Sequence, residues 1–258
     1  MIGPRSIRLV LAAGAALAIG CGRLGYDPVA GDGGGGAEDA AAADASRGGG
    51  DGGAGIDAAV CGLSCTTQGV SVTGDDDDGT IRGGELVTGG VGGEILMGRF
   101  GGDTAWGYYR FRLVAAIPAG ANVVDARIEL RAAAASGWSE TAHQLLVIAE
   151  DTANAAVVTS FEERPDGTVP GFVRFSTGAT VRWNPAGLPW PIGATVTSPN
   201  IRTAIQELVD RYGGLAQNAF VQIWIRGDGF DVDATVSAAD SSDLGSPNPR
   251  LTIAFVPP

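Results

Sequence analysis

A 258-residue chain with a net charge of −12 lacks the basic surface that phosphate binding demands, so nucleic acid is excluded as a partner. All 17 of its cationic side chains are arginines, and without lysine neither Schiff-base chemistry nor a P-loop can be built. Many of the 42 glycines crowd into one stretch near the N-terminus, which leaves close to 200 residues from Cys61 onward for a single sizeable core.

The chain opens with Arg5 and Arg8, followed by an uncharged apolar run from Leu9 to Ile19. As a helix that run reaches only ~16 Å, about half the hydrocarbon core of a bilayer, which is the length of a signal-peptide core rather than of a membrane span. It ends in Leu17-Ala18-Ile19-Gly20-Cys21. This ending resembles a bacterial lipobox. The resemblance implies a signal peptide over 1–20, cleavage before Cys21 and lipidation of its thiol; the alternative is an ordinary secretory signal with an incidental cysteine. Gly22 stands where an aspartate would suggest retention in the inner membrane, so similarity to Gram-negative lipoproteins implies export to the outer membrane. Several acyl chains on one cysteine, each contributing about 0.8 kcal/mol per buried CH₂, give stable anchoring.

Residues 21–60 read as a lipid-anchored tether. Between Gly31 and Gly55, 22 of 25 residues are Gly, Ala or Asp. Such a composition buries too little apolar surface to offset the entropy of ordering, and a disordered linker is expected. Cys61 and Cys65 then remain as one pair in an oxidising compartment, where a disulfide closing a small loop is favoured over two free thiols. A zinc site is not expected there, because the only histidine, His143, is far away in sequence.

The third segment, 61–258, alternates with period two between glycine and proline breaks, the pattern of an all-β protein. Tyr109, Phe111 and Leu113 fall on one strand face and Tyr108, Arg110 and Arg112 on the other. After the turn at Pro118–Gly120, Val124, Ala126, Ile128 and Leu130 alternate with Asp125, Arg127, Glu129 and Arg131, and the two segments are expected to be neighbouring strands. Leu145–Ala149 is apolar on both faces and is expected to be a central, covered strand. Further strands are predicted at 172–176, 180–183, 219–226, 234–238 and 251–255. Ile201, Ala204, Ile205, Leu208, Val209 and Tyr212 recur at helical spacing, with Ser198 as N-cap, Pro199 just inside and Gly213-Gly214 as the stop. The expected fold is a jelly-roll-like antiparallel β-sandwich with one short helix.

The run Tyr109-Arg110-Phe111-Arg112-Leu113, then Ile117-Pro118-Ala119-Gly120-Ala121 and Ala126-Arg127-Ile128-Glu129-Leu130, resembles the DNRLRE-type domain. Val181-Arg182-Trp183-Asn184-Pro185 and Pro249-Arg250-Leu251-Thr252-Ile253 are similar to its later elements, and the resemblance covers about residues 68–256. Arg112 departs from it, standing where the family usually has aspartate. The resemblance implies a jelly-roll sandwich on a secreted or surface protein, of a kind with carbohydrate-binding modules.

Sugar binding by a sandwich needs exposed aromatic rings beside polar groups. Trp224 with Gln222 and Arg226 on one strand face, and Tyr108 with Arg110 and Arg112 on another, are the candidate residues, the arginines being suited to anionic sugars. Trp106, Trp138 and Trp190 lie near turns that could form a rim. The alternative for each is packing or a solvated sheet surface. Asp228, Asp231 and Asp233 alternate through a glycine-containing turn and could hold a structural calcium; a solvated acidic turn is the alternative. No nucleophile elbow, dinucleotide fingerprint or histidine pair points to an enzyme. The expected function is non-enzymatic: a surface lipoprotein presenting a binding or adhesion module for polysaccharide, or else a structural envelope protein with protein partners. The least favoured alternative is a polysaccharide-cleaving enzyme using two of Glu140, Glu150, Glu162, Glu163 and Glu207.

Overall fold

The computed structural model describes residues 64–90, 93–100, 102–133, 144–165, 174–183, 192–228, 234–241 and 247–258. Cys21, Cys61, Trp138, Glu140, His143, Trp190, Asp231 and Asp233, together with the whole of the expected signal and tether, lie outside these residues.

Fourteen strands and one α-helix make up the described fold. In chain order they are β1 (Thr66–Ser71), β2 (Asp78–Arg82), β3 (Glu85–Thr88), β4 (Glu94–Phe100), β5 (Asp103–Arg112), β6 (Ile117–Pro118), β7 (Asn122–Arg131), β8 (Leu145–Glu150), β9 (Ser176–Trp183), β10 (Thr195–Thr197), α1 (Arg202–Tyr212), β11 (Gly214–Leu215), β12 (Phe220–Gly227), β13 (Ala234–Ala239) and β14 (Arg250–Val256). A single 3₁₀ turn at Phe161–Glu163 interrupts the loop after β8. Every ladder between named strands is antiparallel. A four-stranded sheet in the order β1-β14-β7-β10 faces an eight-stranded one whose main path runs β13-β4-β5-β12-β8-β9. The expected antiparallel β-sandwich with one helix is the observed architecture.

The period-two pattern fills the space between the sheets. Tyr109, Phe111 and Leu113 from β5, Val147 and Ala149 from β8, and Val221, Ile223 and Ile225 from β12 meet Ile128 and Leu130 from β7 and Leu251, Ile253 and Phe255 from β14 in one buried cluster. Residues of the same strand with the opposite parity point out of the sandwich. β8 is buried at all six positions and pairs on both sides, with β12 and β9, as its doubly apolar sequence implies.

Three details depart from the sequence reading. β5 and β7 are not neighbours; they belong to opposite sheets, and the Pro118–Gly120 turn carries the chain across the core rather than closing a hairpin. In β7 the inward residue near the start is Val123, with Val124 only half-buried, because the pairing with β14 shifts register between Ala254 and Phe255. One extra residue at a bulge reverses the phase of everything before it. The helix also begins later than expected, at Arg202. Ser198 is not its cap, since its hydroxyl accepts from the Ile128 amide at 3.0 Å and so belongs to the β7 edge. Asn200 takes over part of that role, its Oδ1 accepting from the amides of Arg202 and Ala126, both at 3.0 Å. The predicted stop holds: Gly213 is left-handed (φ 66°, ψ 42°) and its N–H donates to the Val209 carbonyl. Ala204, Ile205, Leu208 and Val209 bury one face of α1 in the main core, where it packs against β7 and β9.

Sequence reading missed the first four strands. β2 and β3 form a hairpin with Arg82 opposite Glu85, turned by Gly83 (φ 56°) and Gly84 (φ 81°). Two consecutive positive φ angles are what a two-residue hairpin loop requires, and glycine adopts them at little cost. β5 then splits its free edge: its first half pairs with β4 and its second half with β2. Gly107 lies just past that division, opposite Thr80, where a Cβ would come within 2.6 Å of the Met97 side chain.

Candidate functional site

The outward face of the large sheet is the unusual surface of the molecule. Two cross-strand rows run along it. In one, Trp106 of β5 lies opposite Arg226 of β12, Arg226 opposite Leu146 of β8, and Leu146 opposite Arg182 of β9. In the next, Tyr108, Trp224, Ile148 and Thr180 follow the same order. On an ordinary two-layer sandwich such positions face water, which is why Trp224 and Tyr108 read as ligand platforms in the sequence.

They are not platforms. Trp224 and Tyr108 are each 0% exposed, in a second buried cluster with Ile81, Trp106, Leu146, Ile148 and Val158, against which Leu86 packs. The β2–β3 hairpin supplies Ile81 and Leu86, and the loop after β8 supplies Val158. Trp224 meets Trp106 edge-on, with ring centroids 6.2 Å apart, and lies 5.3 Å from Tyr108. Gln222 is buried with them. Arg110 donates to Asp77 at 2.5 Å and to the Ala155 carbonyl at 2.9 Å, while its guanidinium covers the Phe220 ring at 3.4 Å. Of the six residues expected to bind ligand, Trp224, Gln222, Tyr108 and Arg110 are therefore packing or ion-pair residues. Arg112 is exposed but lies at the far end of β5, and only Arg226 lines an opening.

The loop that covers Ile148 and Trp224 is fastened by charge. Arg174 is buried, and its guanidinium donates to both oxygens of Glu150 (3.0 and 2.8 Å), to Glu163 Oε2 and to the carbonyls of Ala156 and Val157. Five acceptors for one cation is full satisfaction of its fork. Burial raises the Glu150 carboxyl above its ordinary value, and the Arg174 charge offsets only part of that rise. Burial pushes Glu163 the same way. Hydrogen bonds from Thr159 and Arg174, with the Arg174 charge, outweigh it and leave that carboxyl below the ordinary range. Glu150 and Glu163 are thus held as carboxylate partners of one arginine.

At the rim of the covered patch the sheet opens into a pocket of about 750 Å³. Its floor is Trp106, Leu146 and Ile148; Thr180, Ser176 and Arg226 stand along one side. The hairpin turn Gly83-Gly84 and Asp103 make a second wall, and Phe161 of the 3₁₀ turn with Arg164 and Pro165 just after it make a third. Phe161 is 39% exposed, the ring with an open face in this pocket. Arg226 lies over Trp106, its guanidinium carbon 5.2 Å from the ring centroid, and its Nη1 donates to the Gly227 carbonyl at 2.8 Å. A floor of apolar and aromatic groups with a few polar groups at the edge, in a volume between 300 and 1,000 Å³, matches small-ligand and sugar sites in general. Of the residues that make it, the sequence reading had singled out Trp106 and Arg226. Phe161, Arg164, Ser176 and Thr180 carry no local signal, because their convergence depends on how a loop folds back over the sheet.

The proposed calcium turn is only partly described. Asp228 accepts from Arg182 at 2.8 Å, so its carboxylate is already paired, and its backbone N–H donates to the Gln144 carbonyl. Among the described residues no group of three or more Asp, Glu, His or Cys side chains could hold a metal. Glu207 is likewise engaged, accepting from the amides of Gly178 and Ala179 at 2.9 and 2.8 Å and so tying α1 to β9. No helix among the described residues is long and apolar enough to cross a membrane.

No protein-family model matches the chain, and no curated protein matches it.

Proposed function

We propose that this protein is a lipid-anchored surface protein, held to the outer membrane through Cys21, whose sandwich binds polysaccharide in the pocket on the outer face of its large sheet. The observation that carries the reading is the pairing of the open Phe161 ring with the Trp106–Arg226 stack around one 750 Å³ cavity. A pyranose ring has an apolar face and an equatorial belt of hydroxyls. Phe161 meets the first, and Ser176, Thr180 and Asp103 supply partners for the second. Arg226 and Arg164 bring cationic donors to this pocket in a protein whose net charge is −12, which favours sugars bearing a carboxylate.

The anchor and tether rest on the apolar run before Cys21 and the Gly/Ala/Asp composition behind it. The Cys61–Cys65 pair is read as a disulfide at the start of the domain, and the sandwich as DNRLRE-type; an antiparallel sandwich with one helix is compatible with both. Binding, not cleavage, is the proposed activity. The test is a glycan array probed with the full-length chain, carrying neutral and uronic-acid polysaccharides, repeated with Arg226→Gln. Binding to the acidic set that drops at least tenfold in the variant supports the reading, and no binding to either set overturns it.

A further inference from the structure

A second depression, of different chemistry, lies beyond the Arg112 end of β5. It encloses about 620 Å³ between the β6–β11 ladder, the C-terminus of α1 and the loop after β8. Arg226 of the first pocket and Ala219 of this one stand at opposite ends of β12, roughly 23 Å apart along the strand. Among the described residues that line it, none is charged. Tyr212 borders it and is 39% exposed. Its hydroxyl donates to the Asp151 carbonyl at 2.9 Å, which fixes the ring, and the nearby charges of Asp151 and Arg211 are paired with each other. Two side-chain amides share the rim. The Phe220 N–H can only donate, so at 2.8 Å it uses the oxygen of Asn154 and leaves the NH₂ over. The Val114 carbonyl can only accept, so at 3.0 Å it uses the NH₂ of Gln217 and leaves the oxygen over. Between them the two amides offer a donor and an acceptor beside one aromatic ring. The loop that carries Gln217 is preformed: the Asn218 N–H donates to the Leu113 carbonyl at 2.9 Å, and the Ala219 N–H closes onto Ala216 at 3.1 Å.

We propose that this depression is a second ligand site, which takes a neutral pyranose against Tyr212 with its hydroxyls on Asn154 and Gln217. An aromatic ring flanked by uncharged donors and acceptors matches a ligand with an apolar face and a belt of hydroxyls. Anions are disfavoured twice: the site sits at the C-terminus of α1, the negative end of the helix dipole, in a protein of net charge −12. A peptide fits less well. Adding a strand needs a run of free backbone donors, and the adjoining ladder is two residues long with Pro118 in it. The site therefore differs from the arginine-lined pocket in the charge of the sugar it selects, and its existence does not depend on that pocket binding anything.

Amide NMR spectra of the isotope-labelled full-length chain test this, titrated with the methyl glycosides of glucose, galactose and mannose, with glucuronate and with tetraglycine. At least one neutral glycoside is expected to shift the Asn154 side-chain amide and the Gly214 and Asn218 backbone amides saturably, with glucuronate about threefold weaker or more. No shift of these amides by any neutral glycoside, or tighter binding of glucuronate or tetraglycine, overturns the proposal. Tyr212→Ala is expected to weaken the binding about tenfold, while Tyr212→Phe, which keeps the ring, stays within about threefold of the wild type. Equal affinities in the two variants overturn it. Should Tyr212→Ala fail to fold, Gln217→Leu reports instead: a loss of about threefold is expected, and an unchanged affinity overturns it. Repeating the titration in Arg226→Gln separates the two sites. Unchanged shifts place the sugar here whatever the first pocket does, and their loss assigns them to the first pocket and sinks the second site.

Discussion

The two sheets treat their outward faces in opposite ways. On β7 the outward Arg127, Glu129 and Arg131 are half-buried and charged, the ordinary dress of a sheet in water. On β5, β12 and β8 the outward Tyr108, Trp224 and Ile148 are as buried as the residues of the main core. The difference comes from what is laid over each sheet. The β2–β3 hairpin and the loop fastened by Arg174 cover the large sheet and build a second small core, and where that cover stops the pocket begins. Outward is thus not the same as exposed, and the edge of the cover is where a ligand can reach aromatic rings.

Cutting the second core should show this contrast most strongly. Trp224→Ala removes a fully buried ring and is expected to cost roughly 3–5 kcal/mol, whereas Glu129→Ala on the open face of β7 should stay within about 0.5 kcal/mol. Urea unfolding of both variants checks it. Equal effects would mean that the cover over Trp224 does not form.

Slightly smaller is the effect of the arginine that ties the cover down. Arg174→Met leaves Glu150 buried without its cation and is expected to cost roughly 3 kcal/mol. Adding Glu150→Gln should recover part of that loss, because the buried charge is then gone. A denaturation midpoint for the double variant below that of Arg174→Met alone would contradict the arrangement.

The same staple sets an acid limit. Glu163 has its carboxyl below the ordinary 4.5, so its contribution is fully present above that value and is lost as pH falls through the lowered one. Thermal melts of the wild type and Glu163→Gln are expected to differ at pH 6 and to draw together as pH falls below 4.5 and through the lowered Glu163 value. A constant gap across the range would show that Glu163 does not titrate with folding.

The contrast also marks how far the sequence could be read. Alternation made the inner faces of β5, of β12 and of β7 beyond its bulge legible, because each parity met a single environment there, and the doubly apolar run of β8 announced a covered strand. Gly213 announced the end of α1 by the chemistry of the left-handed cap. What alternation could not convey was a third layer. Trp224 and Arg226 share one face of β12 with the same spacing, yet one is sealed and the other lines a pocket. That fate is decided by Ile81, Val158 and Arg174, which lie 65 or more residues from Trp224 or reach it only through Glu150. The β2–β3 hairpin itself was hidden by its composition, since Asp78-Gly79 and Gly83-Gly84 read as loop until the strand beside them is known. The bulge in β7 was equally invisible, because a bulge is a property of the pairing with β14 and not of either strand alone.

The smallest effect on stability should accompany the most informative change in binding. Phe161 borders the pocket from a three-residue 3₁₀ turn with no buried residues, and that turn is held by Ser160 and Arg174 rather than by the ring. Phe161→Ala is therefore expected to unfold within about 0.5 kcal/mol of the wild type, as a surface change does. If the open ring is where a sugar stacks, the same variant should lose at least about tenfold in affinity for any polysaccharide the array identifies, since an aromatic contact of this kind is worth on the order of 1 kcal/mol or more beyond its area. Isothermal titration of both proteins against that polysaccharide separates the cases. Unchanged affinity with unchanged stability would remove the pocket from the binding surface, and would leave the second core as a purely architectural device for covering one face of a sandwich.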